Sequence, residues 1–331
     1  MIKTPVVLFL FKREESTRRI LERLREVEPA KVYAICDEGR NAEEKELVRK
    51  VRAVVDDCID WPCEVIHDYA SKNRGVYDQI GLGALRVFEK EERAIFLEDD
   101  NLPETTFFAW CEQMLDAYED DERIAWICGT NYLGESRPVD GSDIYFTQHL
   151  LPCGWASWAD KFKKCYDKDL SMTDEPGWLE RMRNAYADRR LFVQQRESVL
   201  GERERRDEGK RYRSWDFHMI FSIKMHGLYG IAPSRNQITN IGVDEFSTHG
   251  SKTGNRMTDH FCGIPSYPMP MPCVIPEKVQ IDPVFEKKIG AIILQPFDRR
   301  LKDALKRALG VPRELSIKQW ILNGKNAKMS K

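Results

Sequence analysis

The chain has 331 residues, enough for one large domain or two modest ones with a substantial core. Its net charge of −2, with 42% hydrophobic and 32% charged residues, describes a soluble, charge-rich globular protein and speaks against nucleic-acid binding through bulk electrostatics. The first apolar run, Val6 to Phe11, meets Lys12 and Arg13 at once and is too short for a signal-peptide core. Nothing later approaches the roughly eighteen apolar residues of a membrane span, so a cytoplasmic protein is expected. Nine cysteines without paired CxxC spacing indicate neither a disulfide framework nor a zinc site, and Cys36, Cys111, Cys128 and Cys153 read as reduced, mostly buried small hydrophobes.

In chain order, Val6 to Phe11 predicts a buried strand, and Ser16 can cap a helix carrying Ile20, Leu21, Leu24 and Val27. Lys31 to Cys36 is a second strand, ending at Asp37-Glu38-Gly39. Helical spacing returns at Leu47, Val48, Val51, Val54 and Val55, with a third strand near Glu64 to His67. After Lys72-Asn73-Arg74-Gly75 a helix carries Val76, Ile80, Ala84 and Val87 on one face. It leads into Ala94 to Leu97, a strand that stops in Glu98, Asp99 and Asp100. Alternating strands and helices of these lengths imply a three-layer α/β domain with a mostly parallel sheet. Glu104 to Tyr118 is helical with Phe107, Phe108, Cys111, Leu115 and Tyr118 inward, and Ile124 to Cys128 is a strand.

From Gly129 the alternation weakens and aromatic residues gather. Glu180 to Arg213, dense in both charge signs, reads as a solvated helix-loop excursion or as a mobile lid. Ser214-Trp215-Asp216 opens an apolar helix, followed by a strand at Leu228 to Ala232. Pro265 to Pro276 reads as an extended surface strap. Past it, Phe297, Leu301, Leu305, Ala308 and Leu309 form an apolar stripe flanked by Arg299, Arg300, Lys302, Lys306 and Arg307, with Gly310 and Pro312 as the stop. That stripe either docks on the main domain or lies on an anionic membrane surface.

The chemistry-bearing residues collect at strand ends. Open α/β sheets bind ligands at the carboxyl edge of their strands, where Glu98, Asp99, Asp100, Asp37, Asn73 and Arg74 should all arrive. Three adjacent carboxylates repel one another and need solvent or a cation. A hard divalent ion, Mg²⁺ or Mn²⁺, completed by water and substrate phosphates, suits them, and a solvated acidic turn is the plainer alternative. Asp37 can accept from a nucleobase or ribose hydroxyl, or simply shape its turn; Arg74 can meet phosphate. No Walker loop, GxGxxG after the first strand or GxSxG elbow occurs, which disfavours P-loop NTPases, dinucleotide enzymes and α/β-hydrolases. Trp155 and Trp158 could face a sugar ring or fill core.

Pro5-Val6-Val7-Leu8-Phe9-Leu10-Phe11-Lys12-Arg13, Asp60-Trp61, Asn73-Arg74-Gly75, Phe96-Leu97-Glu98-Asp99-Asp100 and Cys153-Gly154-Trp155-Ala156-Ser157-Trp158 occur in an order that resembles bacterial GT-A glycosyltransferases related to glycosyltransferase family 2 and the N-acetylglucosaminyltransferase I type. The resemblance covers roughly residues 5 to 250. It implies a GT-A, Rossmann-like three-layer α/β sandwich at 1–264, with a donor half to about 130 and an acceptor half after it. The strap and basic helices would follow at 265–331. It implies a DxD-type motif in which Asp100 ligates Mn²⁺ or Mg²⁺ while Glu98 and Asp99 lie nearer the ribose and metal-bound water. Asp37 would sit by the base, Asn73 and Arg74 with the donor, and Trp155 and Trp158 with the acceptor. Asp216 would be the catalytic base unless it is a plain first-turn acid, and His249 a metal ligand unless it is an ordinary loop histidine. The expected reaction is inverting transfer from a nucleotide-diphosphate sugar, UDP-linked first, to a glycan or lipid-linked acceptor in bacterial surface polysaccharide synthesis. No nucleic-acid partner is expected, and peripheral contact with the inner membrane face through the C-terminal helix is. A nucleotidyltransferase and a non-catalytic glycan-binding scaffold are the rivals.

Overall fold

A computed structural model describes residues 2–242, 261–313 and 315–322 of the chain. Its centre is an eight-stranded sheet of order β3-β2-β1-β4-β8-β6-β9-β7. The strands are β1 (Val6–Leu10), β2 (Lys31–Cys36), β3 (Glu64–Tyr69), β4 (Arg93–Glu98), β6 (Ile124–Cys128), β7 (Ile144–Thr147), β8 (Trp155–Trp158) and β9 (Tyr229–Pro233). The first four are parallel, and β9 runs parallel to β6, while β8 is wedged antiparallel between β4 and β6 and β7 closes the edge antiparallel to β9. A separate antiparallel pair joins β5 (Asn101–Pro103) to β10 (Ile238–Asn240) directly after the acidic run.

Strand alternation explains the two core layers, since successive side chains point to opposite faces. Val6, Leu8 and Leu10 join one buried cluster with helices α1 (Glu14–Val27), α2 (Ala42–Cys58) and α4 (Thr106–Ala117). Val7 and Phe9 join the other, under α3 (Leu82–Phe88), α5 (Ala159–Cys165) and α8 (Trp215–His226). Both faces of the sheet are covered, as a parallel sheet requires. All nine cysteines are free.

Several expectations need correction. Ser16 lies inside α1, which starts at Glu14 without a side-chain cap. Val76 is 47% exposed, because a π-helical turn at Tyr77–Gly81 precedes α3 and rotates the first residue off the apolar face. The charge-dense stretch is not merely solvated. Helices α6 (Trp178–Asn184) and α7 (Arg189–Asp207) bury Trp178, Met182, Leu191, Phe192 and Val199 against Phe221 of α8, and even Glu202 is only 1% exposed. The strap is extended as expected and is held by Gln113, whose amide accepts from Cys273 N and donates to Cys273 O, and by Gln237, which donates to Tyr267 O. Helix α9 (Pro283–Ile293) docks through Phe285, stacked 3.9 Å from Tyr145. Helix α10 (Phe297–Ala308) does not dock by its apolar stripe, since no residue in it is buried.

Candidate functional site

Parallel strands deliver their carboxyl ends to one edge, and that edge collects the site. β1 runs out into Phe11 and Arg13, β2 into Asp37, β3 toward Asn73–Gly75 and β4 into Glu98–Asp100. Helix α8 precedes β9, which runs parallel to β6, so its first turn returns to the same edge and carries Asp216 there.

Asp99 is buried and fixed by two donors: Arg13 Nη1 at 2.7 Å on Oδ1 and the Phe11 amide at 3.1 Å on Oδ2. Arg13 also lies 3.5 Å from Asp100 Oδ2. Asp100 Oδ1 accepts from Asn101 Nδ2 at 2.6 Å, while Asn101 Oδ1 accepts from the Gly154 amide at 2.8 Å and the Glu98 amide at 3.3 Å. Glu98 keeps some surface contact but is ringed by protein. Burial first, then Asp100, Asp99 and Asp216, hold its carboxyl well above the usual glutamate range, with Arg13 opposing them. Four carboxylates therefore share one electrostatic neighbourhood, with Arg13 as a counter-charge.

Asp216 accepts on Oδ1 from the Ser214 hydroxyl and, at 3.0 Å, from the Phe217 amide, which orients the carboxylate on the α8 N-terminus. Beneath that turn, Glu202 of α7 accepts from the Arg213 amide at 2.7 Å. Burial raises the Glu202 carboxyl, the Arg213 hydrogen bond and charge oppose, and Asp216 adds to the rise.

Asp37 is the clamp of the donor-side loops. Its Oδ1 accepts from the amides of Arg74 (2.7 Å) and Glu38 (2.8 Å), and its Oδ2 from Gly75 N and Asn73 Nδ2, both 3.0 Å. All four lone-pair directions of the carboxylate are thus engaged. Gly75 has φ +83°, which suits this turn. The Arg74 guanidinium makes a two-pronged pair with Asp68 at 2.7 and 3.0 Å.

Trp155 and Trp158 do not present an aromatic surface to an acceptor. They are 1% and 3% exposed, and residues three apart on a strand face opposite sides of the sheet. Trp155 is sandwiched between Phe96 (3.8 Å) and Trp126 (4.1 Å), and Trp158 donates its indole N–H to Leu115 O at 3.1 Å on the other face. Both are core. His249 lies outside the described residues. The chain leading toward it starts at the site, however: Ile241 N donates to Asp100 O at 2.8 Å, and a Cβ added at Gly242 would lie 2.4 Å from Asp100 Oδ2.

Sequence reasoning missed Arg13 and Asn101 as site residues. A basic residue one turn past β1 and an amide directly after three carboxylates were the available signals. Among the described residues no group of three histidine, cysteine or carboxylate side chains is arranged to hold a metal ion. The donor set still fits a hard divalent ion, which takes only one or two carboxylates when substrate phosphates complete its shell.

No protein-family profile and no curated protein matches the chain. Among solved structures, residues 1–349 of S. aureus TarS superpose with a TM-score of 0.38 at 12% identity, over 73% of this chain and 61% of that one. An apo UDP-glucose pyrophosphorylase gives 0.37 at 10% identity over 73% and 93%, and mouse xyloside xylosyltransferase 1 gives 0.34 at 13% over 68% and 83%. The chain therefore spans less than two thirds of the TarS fragment. The residues of the sheet edge, rather than these distant likenesses, carry the functional reading.

Proposed function

We propose that the chain is a metal-dependent GT-A glycosyltransferase that moves a sugar, with inversion, from a nucleotide-diphosphate donor to a glycan or lipid-linked acceptor of a bacterial surface polysaccharide. A UDP-linked donor is the first to test. The observation that carries the reading is the convergence of Glu98, Asp99, Asp100 and helix-initial Asp216 at one sheet edge, with Arg13 as counter-charge. In this reading Asp100, joined by His249, holds Mn²⁺ or Mg²⁺, and such an ion supplies Lewis-acid stabilisation for the charge that develops on a leaving diphosphate. Asp99, pinned by Arg13 and the Phe11 amide, keeps the acidic turn in place, and Glu98 stands toward the ribose. The Asp37 clamp shapes the Asn73–Gly75 loop that borders the base. Asp216 takes the proton from the acceptor hydroxyl as its oxygen forms the new bond to the anomeric carbon and the bond to diphosphate breaks on the opposite face.

A nucleotidyltransferase is disfavoured by the segment after β1: it has no glycine, and Arg13 is committed to Asp99 and Asp100. The test is a pair of variants. Asp216→Asn should bind donor normally and lose transfer, while Asp100→Ala should lose metal-dependent donor binding itself. Retained turnover in Asp216→Asn would refute the base assignment.

A further inference from the structure

Helix α10 is held with its amphipathic faces inverted relative to the protein. Its large apolar side chains point to solvent: Phe297 is 68% exposed, Leu301 48%, Leu305 49%, and Leu309 just past its end 52%. These positions recur every four residues and define one apolar arc of the helix. The half-buried residues of the helix are instead polar, Arg300, Asp303 and Lys306. Arg300 Nε donates to Gln295 O at 3.0 Å and Lys306 Nζ to Arg313 O at 2.9 Å.

Both ends of the helix are anchored on α7. Before it, Gln194 donates to Ile293 O at 3.1 Å and accepts from Gln295 N at 2.8 Å. After it, Val311 is buried, and Arg313 pairs with Glu197 at 3.1 Å and Glu204 at 3.0 Å. The outward turn of the apolar arc is therefore fixed by contacts on either side of the helix. Further along, Trp320, Ile321 and Leu322 are exposed as well.

Charge identifies the occupant. From Phe297 to the C-terminus the sequence holds ten lysines and arginines against three acidic residues, a balance of +7 in a chain whose net charge is −2. The preceding 296 residues thus carry −9. On the helix, Lys302 borders the apolar arc on one side, and Arg300 and Arg307 on the other, while the exposed Asp298 falls within the arc between Leu305 and Leu309. An apolar arc lined on both sides by cations matches a bilayer surface, where the arc enters the acyl boundary and the cations meet anionic headgroups. Among the described residues, the large apolar side chains exposed outside this C-terminal stretch, such as Val76, Val139 and Leu179, are scattered along the sequence.

We infer that α10, together with the described residues after it at 309–313 and 315–322, forms a docking surface for an anionic lipid bilayer, with the Phe297–Leu301–Leu305–Leu309 arc inserted at the interface. This inference is independent of the donor chemistry at the sheet edge. It is tested by co-sedimentation of the full chain with vesicles of phosphatidylcholine alone and of phosphatidylcholine with 30–40% phosphatidylglycerol, read at about 0.05 and 0.5 M salt. Binding is expected to the anionic vesicles only and to weaken at high salt. Leu301→Ser with Leu305→Ser should abolish it, and Arg299→Glu with Lys302→Glu should weaken it at least about tenfold, because each cation near such a surface contributes on the order of 1 kcal/mol. All four side chains are exposed, so the fold should survive, and circular dichroism checks that it does. Failure to bind, equal binding to neutral vesicles, or binding indifferent to both variant pairs would overturn the inference. So would a lipid-free dimer, seen by light scattering and dissolved by the leucine variants, because the arc would then belong to a second copy.

Discussion

His218 offers a sharp test of how α8 is seated beneath Asp216. It is fully buried, with ring centroids of Tyr77, Tyr212 and Tyr166 at 4.8, 4.5 and 6.3 Å. Its Nδ1 faces the Asp167 carbonyl at 3.1 Å, and its Nε2 has no hydrogen-bond partner among the described residues. Burial lowers its pKa from 6.5 to about 4, against the opposing pull of the Asp167 carbonyl and charge. Above pH 6.5 neither the folded nor the unfolded chain is protonated at this site, and it contributes no slope. Between pH 6.5 and 4 the unfolded chain binds a proton that the folded chain refuses, so stability falls as pH falls and levels off below about 4. The fall from 6.5 to about 4, at about 1.36 kcal/mol per pH unit, gives a loss of about 3 kcal/mol across that window. His218→Asn keeps a donor for the Asp167 carbonyl and removes the titration. The assay is urea unfolding of both proteins at half-unit steps from pH 4 to 7.5. The wild type should lose about 3 kcal/mol more than the variant on acidification, and parallel curves would refute the burial argument.

Other perturbations address the rest of the frame. Trp155→Ala removes the ring between Phe96 and Trp126 and should cost about 3–5 kcal/mol in denaturant unfolding, whereas a near-neutral result would return Trp155 to the surface. Gly154→Ala should destabilise by about 2 kcal/mol or more, because φ is +63° and the new Cβ would meet Ile238 Cδ1 at 2.5 Å; an unchanged Tm would contradict the close approach. Asp37→Ala strips the acceptor from three backbone amides and Asn73, with an expected loss of about 2–4 kcal/mol and faster amide exchange at residues 73–75; wild-type exchange there would show that the clamp is dispensable.

The parts of the fold legible in sequence are those governed by local pattern. β1, β2 and β6 are continuous apolar runs because the sheet is buried on both faces, and β2 and β6 fall at the residues the pattern marks. The meeting of Asp37, Asn73 and the acidic run at one edge followed from parallel topology alone. Elements set by tertiary contact were not legible. Trp155 and Trp158 could be read as a surface for a sugar ring or as core, and strand alternation sends them into different core layers. The charged segment concealed a satellite core, because its apolar residues are few and are completed by Phe221 from another helix. Asn101 directly follows the acidic run, but its structural role rests on reaching Gly154, 53 residues away, which no local pattern shows. The outward apolar face of α10 reverses the usual expectation that a stripe faces its own protein, and only the position of Arg300, Asp303 and Lys306 reveals it.

The central claim is that the acidic sheet edge binds a nucleotide-sugar through a divalent ion. The most direct measurement is a thermal-shift panel of nucleotide-sugars with Mn²⁺, with Mg²⁺ and with chelator, on the wild type and on Asp100→Ala. A ligand specific to the folded state adds about 2.7 kcal/mol at a hundredfold excess over Kd. The account predicts stabilisation by a UDP-sugar that requires the metal and vanishes in Asp100→Ala. A flat panel on well-folded protein, or a shift that survives both chelator and the variant, would contradict it.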